Sequence, residues 1–285
     1  MSNDTANFAV HQVADRIGLA TTARQKTSTE GPAFEFLPSD IHPNDSFAVH
    51  FSLRWRSAEA TLVPGPFSAG LIQQMGQCSG EGKQVFASFA KALESKRVKI
   101  LMRVNGSEVN PADPTGWPSG WSRLELTLRT QPMVIEAHDS ALHERLILEL
   151  VVPLFGMMAA LIGVEENDPV TTGETEGKVI QTLATKYERK RLNREACIQL
   201  KGTRCLACGF DFAEAYGPLG IGYIEIHHTK PVASIGGQYS LNIETDLVPL
   251  CANCHAMAHR EEPPVTVERL QSLLDDRGKA ASAVK

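Results

Sequence analysis

Two Cys-x-x-Cys pairs, Cys205-Leu-Ala-Cys208 and Cys251-Ala-Asn-Cys254, stand 42 residues apart in this chain. They constrain the fold more than any other feature, because four thiolates suit one tetrahedral ion and both pairs must then meet at it. Gly209 follows Cys208 and permits the tight turn of a zinc knuckle. A redox dithiol would need only one pair, in a thioredoxin-like setting that the sequence lacks. The expectation is therefore a closed structural zinc site of Cys205, Cys208, Cys251 and Cys254, which stabilises the domain and performs no chemistry. A disulfide framework is disfavoured. The chain has 285 residues, and its start, MSNDTANFAVHQVADRIG, shows no basic segment followed by an apolar one. A reducing, cytoplasmic setting is the corresponding expectation.

The histidines interleave with these cysteines. Tyr223-Ile-Glu-Ile-His-His-Thr-Lys-Pro-Val alternates like a strand ending in a turn at Pro231. Vicinal His227 and His228 then point to opposite sides, so one can hold a metal while the other addresses a substrate. His255 and His259 follow the second knuckle at i and i+4, on one face of a helix, and can converge on one ion. A lone histidine is usually structural, but two ordered pairs set among four cysteines point to a metal-assisted site. Purely structural histidines, or part of a second structural zinc site, are the plainer readings.

The segments Cys205-x-x-Cys-Gly-Phe-Asp-Phe, Tyr216-Gly, Gly222-Tyr-Ile-Glu-Ile-His-His-x-x-Pro and Asp246-Leu-Val-Pro-Leu-Cys-x-Asn-Cys-His-x-Met-x-His-Arg resemble the HNH endonucleases of the McrA type. These are bacterial modification-dependent or related restriction nucleases with a ββα-metal core. The resemblance covers the C-terminal third, roughly Tyr187 to Arg260. It implies a metal-dependent endonuclease that hydrolyses DNA phosphodiester bonds, with a restriction or defence role. It also implies a division of labour: His228 as general base, and His227, His255 and His259 around a catalytic divalent cation, as in the similar colicin nucleases. Such a base suits an imidazole near its ordinary pKa of ~6.5. The middle residue of the motif is open. Asn253 inside the knuckle is the candidate for orienting the base, with Asp246 as the alternative. The cation is Mg²⁺, Mn²⁺, Ni²⁺ or Zn²⁺. The imidazoles favour the later metals, and the resemblance favours Mg²⁺ or Mn²⁺.

The formal net charge of -5 neither excludes nor suggests a nucleic-acid partner, since a local patch can supply the field. From Lys178 to Arg204 there are eight basic residues and two acidic ones. Arg189, Lys190 and Arg191 on an expected helix, with Lys230 and Arg260 beside the motif, are candidate phosphate contacts. A solvated charged face explains them equally well.

The length suggests two domains. The expected organisation is α+β: a polar segment (1–31), a mixed α+β domain (32–166), an acidic linker (167–177) and the ββα-metal domain with its four-cysteine zinc knuckle (178–285). A short helix is expected near Phe8–Leu19, and a flexible connector at 21–31. Strands are expected at 47–56, 98–104 and 124–129, with a turn at Asn105-Gly106 and a helix over Lys83–Lys96. Leu146–Val164 approaches the length of a membrane span, but Glu149 and Pro153 interrupt it, so a buried core element is expected and no membrane.

The N-terminal domain is expected to choose the target, double-stranded and modified DNA by the resemblance. Trp55, Trp117 and Trp121 are candidates for stacking on a flipped base, although core or turn aromatics are the plainer reading. Arg54, Arg56, Lys96, Arg97 and Lys99 are candidates for a backbone-binding face. A homodimer would supply two active sites for double-strand cutting. Two other classes stay open: a nuclease effector switched by a small ligand or partner at the N-terminal domain, and a non-catalytic zinc module that binds nucleic acid.

Overall fold

One large antiparallel sheet occupies the N-terminal part of the chain, with side chains that alternate between core and solvent in the strands Ser57–Pro64 and Leu124–Arg129 and are mostly buried in Ala33–Pro38 and Phe47–Arg54. A computed structural model describes residues 3–26, 33–39, 41–136, 139–163, 191–229, 241–261 and 263–282. The chain divides into two compact units, Met1–Ala196 and Cys197–Lys285. The linker expected at 167–177 lies outside the described residues.

Unit 1 opens with α1 (Asn3–Ile17), whose Ala6, Ala9, Val13 and Ile17 are buried. The strands are β1 (Thr21–Lys26), β2 (Ala33–Pro38), β3 (Phe47–Arg54), β4 (Ser57–Pro64), β5 (Lys99–Val104), β6 (Ser107–Glu108) and β7 (Leu124–Arg129). Their order in the sheet is β1-β2-β3-β4-β7-β5-β6, and every pairing is antiparallel. The segment expected as a connector thus supplies β1. Its TTARQK sequence carries no apolar stripe, because it is an edge strand with most of its side chains exposed. The hairpin between β5 and β6 turns at Asn105 and Gly106, with φ of 53° and 83°. That geometry is a type I′ turn, which Asn-Gly favours.

One face of the sheet is apolar. Phe36, Val49, Phe51, Ala60, Met102, Leu126 and Leu128 are buried there. The helices that unit 1 adds after the first strands are α2 (Ala69–Gly76), α3 (Gly80–Ser95), α4 (Ser140–Leu146) and α5 (Val152–Ile162). Ser79 caps α3 by accepting from the Gly82 N–H. A wide π turn at Ile147–Val151 joins α4 to α5. Pro153 sits just beyond it, where a regular turn would lose a hydrogen bond and press the ring on the carbonyl of Glu149.

The run Ser140–Ile162 is long and apolar enough to cross a membrane. Here it is the central helix of unit 1, and Leu150, Leu154, Phe155, Met158 and Leu161 are fully buried. Gly156 lets α5 lie close to α3. A Cβ at Gly156 would sit 2.5 Å from the Phe89 ring.

Trp117 and Trp121 belong to this core. Trp117 packs edge-on against Phe86 at 5.1 Å and against Trp121 at 5.7 Å. Their ring N–H groups donate to the carbonyls of Asn110 and Pro118. Neither can stack on a base without dismantling the core. Trp55 differs: it is 88% exposed.

The division between units falls within α6 (191–201). Its first half serves unit 1, where Arg16 and Glu195 pair at 3.4 Å and Arg191 donates to the Ala14 carbonyl. Unit 2 contains the second half of α6, then α7 (Phe212–Tyr216), β8 (Glu225–His228), α8 (Ile243–Asp246), β9 (Leu247–Leu250), α9 (Ala252–Ala258) and α10 (Val267–Ser282). β8 and β9 form an antiparallel pair that places His227 opposite Val248 and His228 opposite Leu247. The protein is therefore mixed α/β, with the cysteine cluster in unit 2.

Candidate metal centre

The first knuckle is shaped by its own backbone. Gly209 N–H returns to the Cys205 carbonyl, and Cys205 N–H reaches the Phe210 carbonyl, each at 2.9 Å. Gly209 takes a φ of 74°, which a side chain would strain. Leu206 N–H then bonds the Pro249 carbonyl on β9, so the two Cys-x-x-Cys turns approach each other. All four sulfurs lie within 4.8 Å of one another. The Cys208 and Cys251 sulfurs are 3.7 Å apart. A tetrahedral zinc with Zn–S near 2.3 Å sets its sulfurs about 3.8 Å apart, so the residues fit the ion. Burial pushes the Cys208 and Cys254 thiols up, and the neighbouring sulfurs add to this at Cys254. Coordination of an ion would remove the protons from the clustered thiols and satisfy all four sulfurs.

Cys251 is also the N-cap of α9, and the His255 N–H bonds its carbonyl at 2.9 Å. The knuckle therefore fixes where the helix begins, and with it the directions of His255 and His259. Those two rings meet His227 from β8. Ring centroids are 5.4 Å apart for His227–His255 and 4.9 Å for both His227–His259 and His255–His259. A nitrogen from each lies within 4.8 Å of the others, close enough to share one ion. His227 is 3% exposed, and its Nδ1 is buried with no hydrogen-bond partner among the described residues. Leaving such an atom unsatisfied costs about 1–3 kcal/mol, a cost that a cation bound through Nδ1 would remove. Burial chiefly, with His259, His255 and His228 nearby, lowers the pKa of His227 to about 4. It is neutral at pH 7, as a ligand must be.

Glu225, which sequence reasoning passed over, completes the group. It lies two residues before His227 on β8, hence on the same face. One carboxylate oxygen is 2.5 Å from His255 Nδ1. This contact fixes the ring and leaves Nε2 to face an ion, the usual support behind a ligating histidine. The period-two spacing Glu225/His227 was the available signal.

His228 lies on the opposite side of β8 from His227 and is exposed. Asp246 is 2% exposed. Its carboxylate accepts from the Asn242 N–H at 2.9 Å and the Thr245 hydroxyl at 3.0 Å. Its carbonyl takes the Thr229 N–H at 2.9 Å, which anchors the residue directly after His228. Asn253 is exposed on α9, and its side chain makes no hydrogen bond among the described residues. Arg260 is exposed and has no ion pair among the described residues. Arg191 is engaged with Ala14, as above. Arg189, Lys190 and Lys230 lie outside the described residues.

Residues 205–261 match the family model of the HNH endonuclease. No curated protein and no solved structure matches the chain. The matched stretch opens on Cys205 and includes all four cysteines, His227, His228, His255 and His259. The HNH region thus coincides with the two clusters described above: the chain carries an HNH endonuclease domain at 205–261, and that domain contains a four-cysteine cluster able to hold a metal ion. DNA is the substrate class on which HNH nucleases act.

Proposed function

We propose that this protein is a metal-dependent endonuclease that hydrolyses DNA phosphodiester bonds. The observation that carries the reading is the convergence of His227, His255 and His259 with His228 on the other side of the same strand. The cysteine cluster would hold structural zinc. A divalent cation, when bound by the three histidines, supplies Lewis-acid stabilisation of the charge that develops on the phosphate and the leaving oxygen.

The chain's own residues do the rest. His228 takes a proton from the attacking water, and its exposure lets water and phosphate reach it. Glu225 orients His255. We assign the positioning role to Asp246 rather than Asn253, because Asp246 pins the backbone at Thr229 and so the end of the strand that carries His228. A nuclease module that reads no sequence needs a selector, and unit 1 is the candidate. This arrangement suits a restriction or defence nuclease, with a homodimer cutting both strands.

The test is plasmid cleavage in Mg²⁺, Mn²⁺, Ni²⁺ or Zn²⁺. His228→Ala should lower the rate by about 10²–10⁴-fold while zinc content and DNA binding persist. Full cleavage by that variant would remove the role given to His228. Asp246→Ala should impair cleavage more than Asn253→Ala, and the reverse order would return the middle role to Asn253.

A further inference from the structure

At one end of the sheet of unit 1, the β3–β4 hairpin turns in two residues, Trp55 and Arg56, between the paired Arg54 and Ser57. The turn is tied down by the Met133 N–H, which donates to the Arg56 carbonyl at 2.9 Å. Trp55 stands 88% exposed at its tip. A single exposed aromatic residue means little by itself. Its surroundings give it meaning.

An open cleft of about 370 Å³ adjoins the turn. It is lined by Arg56, Lys99 and Arg129, with Ser57, Thr130 and Gln131 offering further polar groups, and among the described residues no carboxylate lines it. The register explains the gathering. Arg129 is opposite both Glu59 and Lys99, on the face of the sheet away from the apolar core. Glu59 pairs with Arg129 at 3.0 Å and with Arg54 at 3.4 Å, so Arg56 and Lys99 carry the uncompensated charge at the cleft. Arg56 and Lys99 are exposed and have no ion pair among the described residues. Lys96, grouped with these cations in the sequence, instead stands beside Glu149 and Glu195.

Arg56 and Lys99, held at one cleft without an ion pair among the described residues, repel one another, and an anion relieves that repulsion. A flat aromatic ring beside an anion site matches the two halves of a nucleotide, phosphate and base. We propose that this cleft and Trp55 bind a DNA strand at an unpaired nucleotide, with Arg56, Lys99 and Arg129 on the phosphates and the base stacked on Trp55. This inference rests on DNA being the substrate of the HNH region, and it gives unit 1 the contact that chooses the strand. A base inside a duplex offers no free face, so the surface distinguishes unpaired from paired DNA.

The experiment uses the full-length, zinc-loaded protein in a His228→Ala background, so that DNA stays intact. The probes are a fluorescein-labelled single-stranded oligodeoxynucleotide and the same sequence as a duplex, read by anisotropy. The single strand should bind more tightly. Trp55→Ala should weaken it by about 5–100-fold, while Trp55→Phe keeps most of the affinity because the ring still stacks. Arg56→Glu with Lys99→Glu should weaken binding at least tenfold and lower the slope of log Kd against log salt by about 1.4 for two lost contacts. Intrinsic emission gives a separate readout. DNA should quench Trp55, and the quenching should vanish in Trp55→Phe, since Trp117 and Trp121 are buried. All three sites are exposed, and unchanged thermal unfolding of the variants excludes misfolding as the cause.

Unchanged affinity and salt slope in these variants would overturn the proposal and leave the nuclease reading intact. Competition by a free mononucleotide as strong as by the oligonucleotide would also overturn it, in favour of a small-ligand site. Failure of wild-type protein both to bind and to cut DNA would sink the function and this surface together.

Discussion

Units 1 and 2 are held together by different forces. Unit 1 buries a full sheet face and a central helix, and its largest fully buried side chains include Phe36, Phe51, Phe86, Phe89 and Phe155. Each contributes roughly 1.5–3 kcal/mol of burial. The core cluster of unit 2 is Ile198, Cys205, Ala207, Ile224, Val248, Leu250, Cys251, Cys254, Ala258 and Leu270. Three of those ten are cysteines and two are alanines, and Phe212, Ile226, Val265 and Val267 are only partly buried against them, so this cluster offers less apolar burial against chain entropy than the core of unit 1. The comparison teaches that unit 1 is built around an apolar core and unit 2 around a four-cysteine cluster, so unit 2 is expected to depend on a bound ion to fold. An ion on those cysteines would also set the start of α9, whose N-cap is Cys251, and so the histidines that would do the chemistry.

The largest expected effect follows from this. A strong chelator, or Cys251→Ser, should unfold unit 2 and leave unit 1 folded, because structural zinc contributes about 10–16 kcal/mol in small zinc domains. Hydrogen exchange should show protection lost over β8, β9 and α9 and kept in β3, β4 and β7. Loss of protection in both units would break the comparison, as would retention in both. Metal analysis should find one tightly held zinc per chain, and it should be lost in Cys251→Ser.

The converse perturbation belongs to unit 1. Phe86→Ala removes a ring that is fully buried and packed on Trp117. It should destabilise unit 1 by about 3–5 kcal/mol, seen as a lower midpoint in urea, with zinc content unchanged. A shift below about 1 kcal/mol would mean that the core of unit 1 closes over the gap, and that packing is less decisive there than its burial suggests.

Within unit 2 the effects turn from folding to metal affinity. Glu225→Gln keeps the shape of the side chain but removes the charge that holds His255 Nδ1. Affinity for Mn²⁺ or Ni²⁺ at the histidine cluster should fall by about 10–100-fold, with the cysteine site unaffected. Calorimetry on zinc-loaded protein reads this directly. Equal affinity in the variant would show that His255 is oriented by α9 alone.

How much of this was legible beforehand differs between the units for a related reason. Strand β7 (LELTLR) could be read residue by residue, because one face is wet and the other dry. β2 (AFEFLP) could not, because five of its six residues are buried and the alternation is lost. Trp117 and Trp121 sit in a loop-like sequence yet are buried, since their ring N–H groups find carbonyls nearby. In unit 2 the ligand spacing is local and specific, so Cys205, Cys208, Cys251, Cys254 and the His pairs stood out. The choice between Asn253 and Asp246 could not be read, because the contact of Asp246 with the Thr229 backbone joins two distant segments. The cleft beside Trp55 was hidden for the same reason: Arg56, Lys99 and Arg129 are neighbours only across strands.

The smallest expected effect sharpens the comparison at a helix end. Ser79 accepts the Gly82 N–H at 3.1 Å at the start of α3, and Asp211 accepts the Ala213 N–H at 2.8 Å at the start of α7. Removing either cap costs about 1 kcal/mol in general. Ser79→Ala should express that cost in the urea midpoint of unit 1, because α3 is a wall of its core and unfolds with it. Asp211→Ala should leave the metal-loaded midpoint of unit 2 nearly unchanged if zinc binding governs its unfolding, since none of α7 is buried. With the metal removed there should be no folded unit left for the cap to stabilise. A full effect of about 1 kcal/mol from Asp211→Ala on the zinc-loaded protein would mean that α7 unfolds cooperatively with the knuckle, and that the staple reaches further along the chain than the two Cys-x-x-Cys turns.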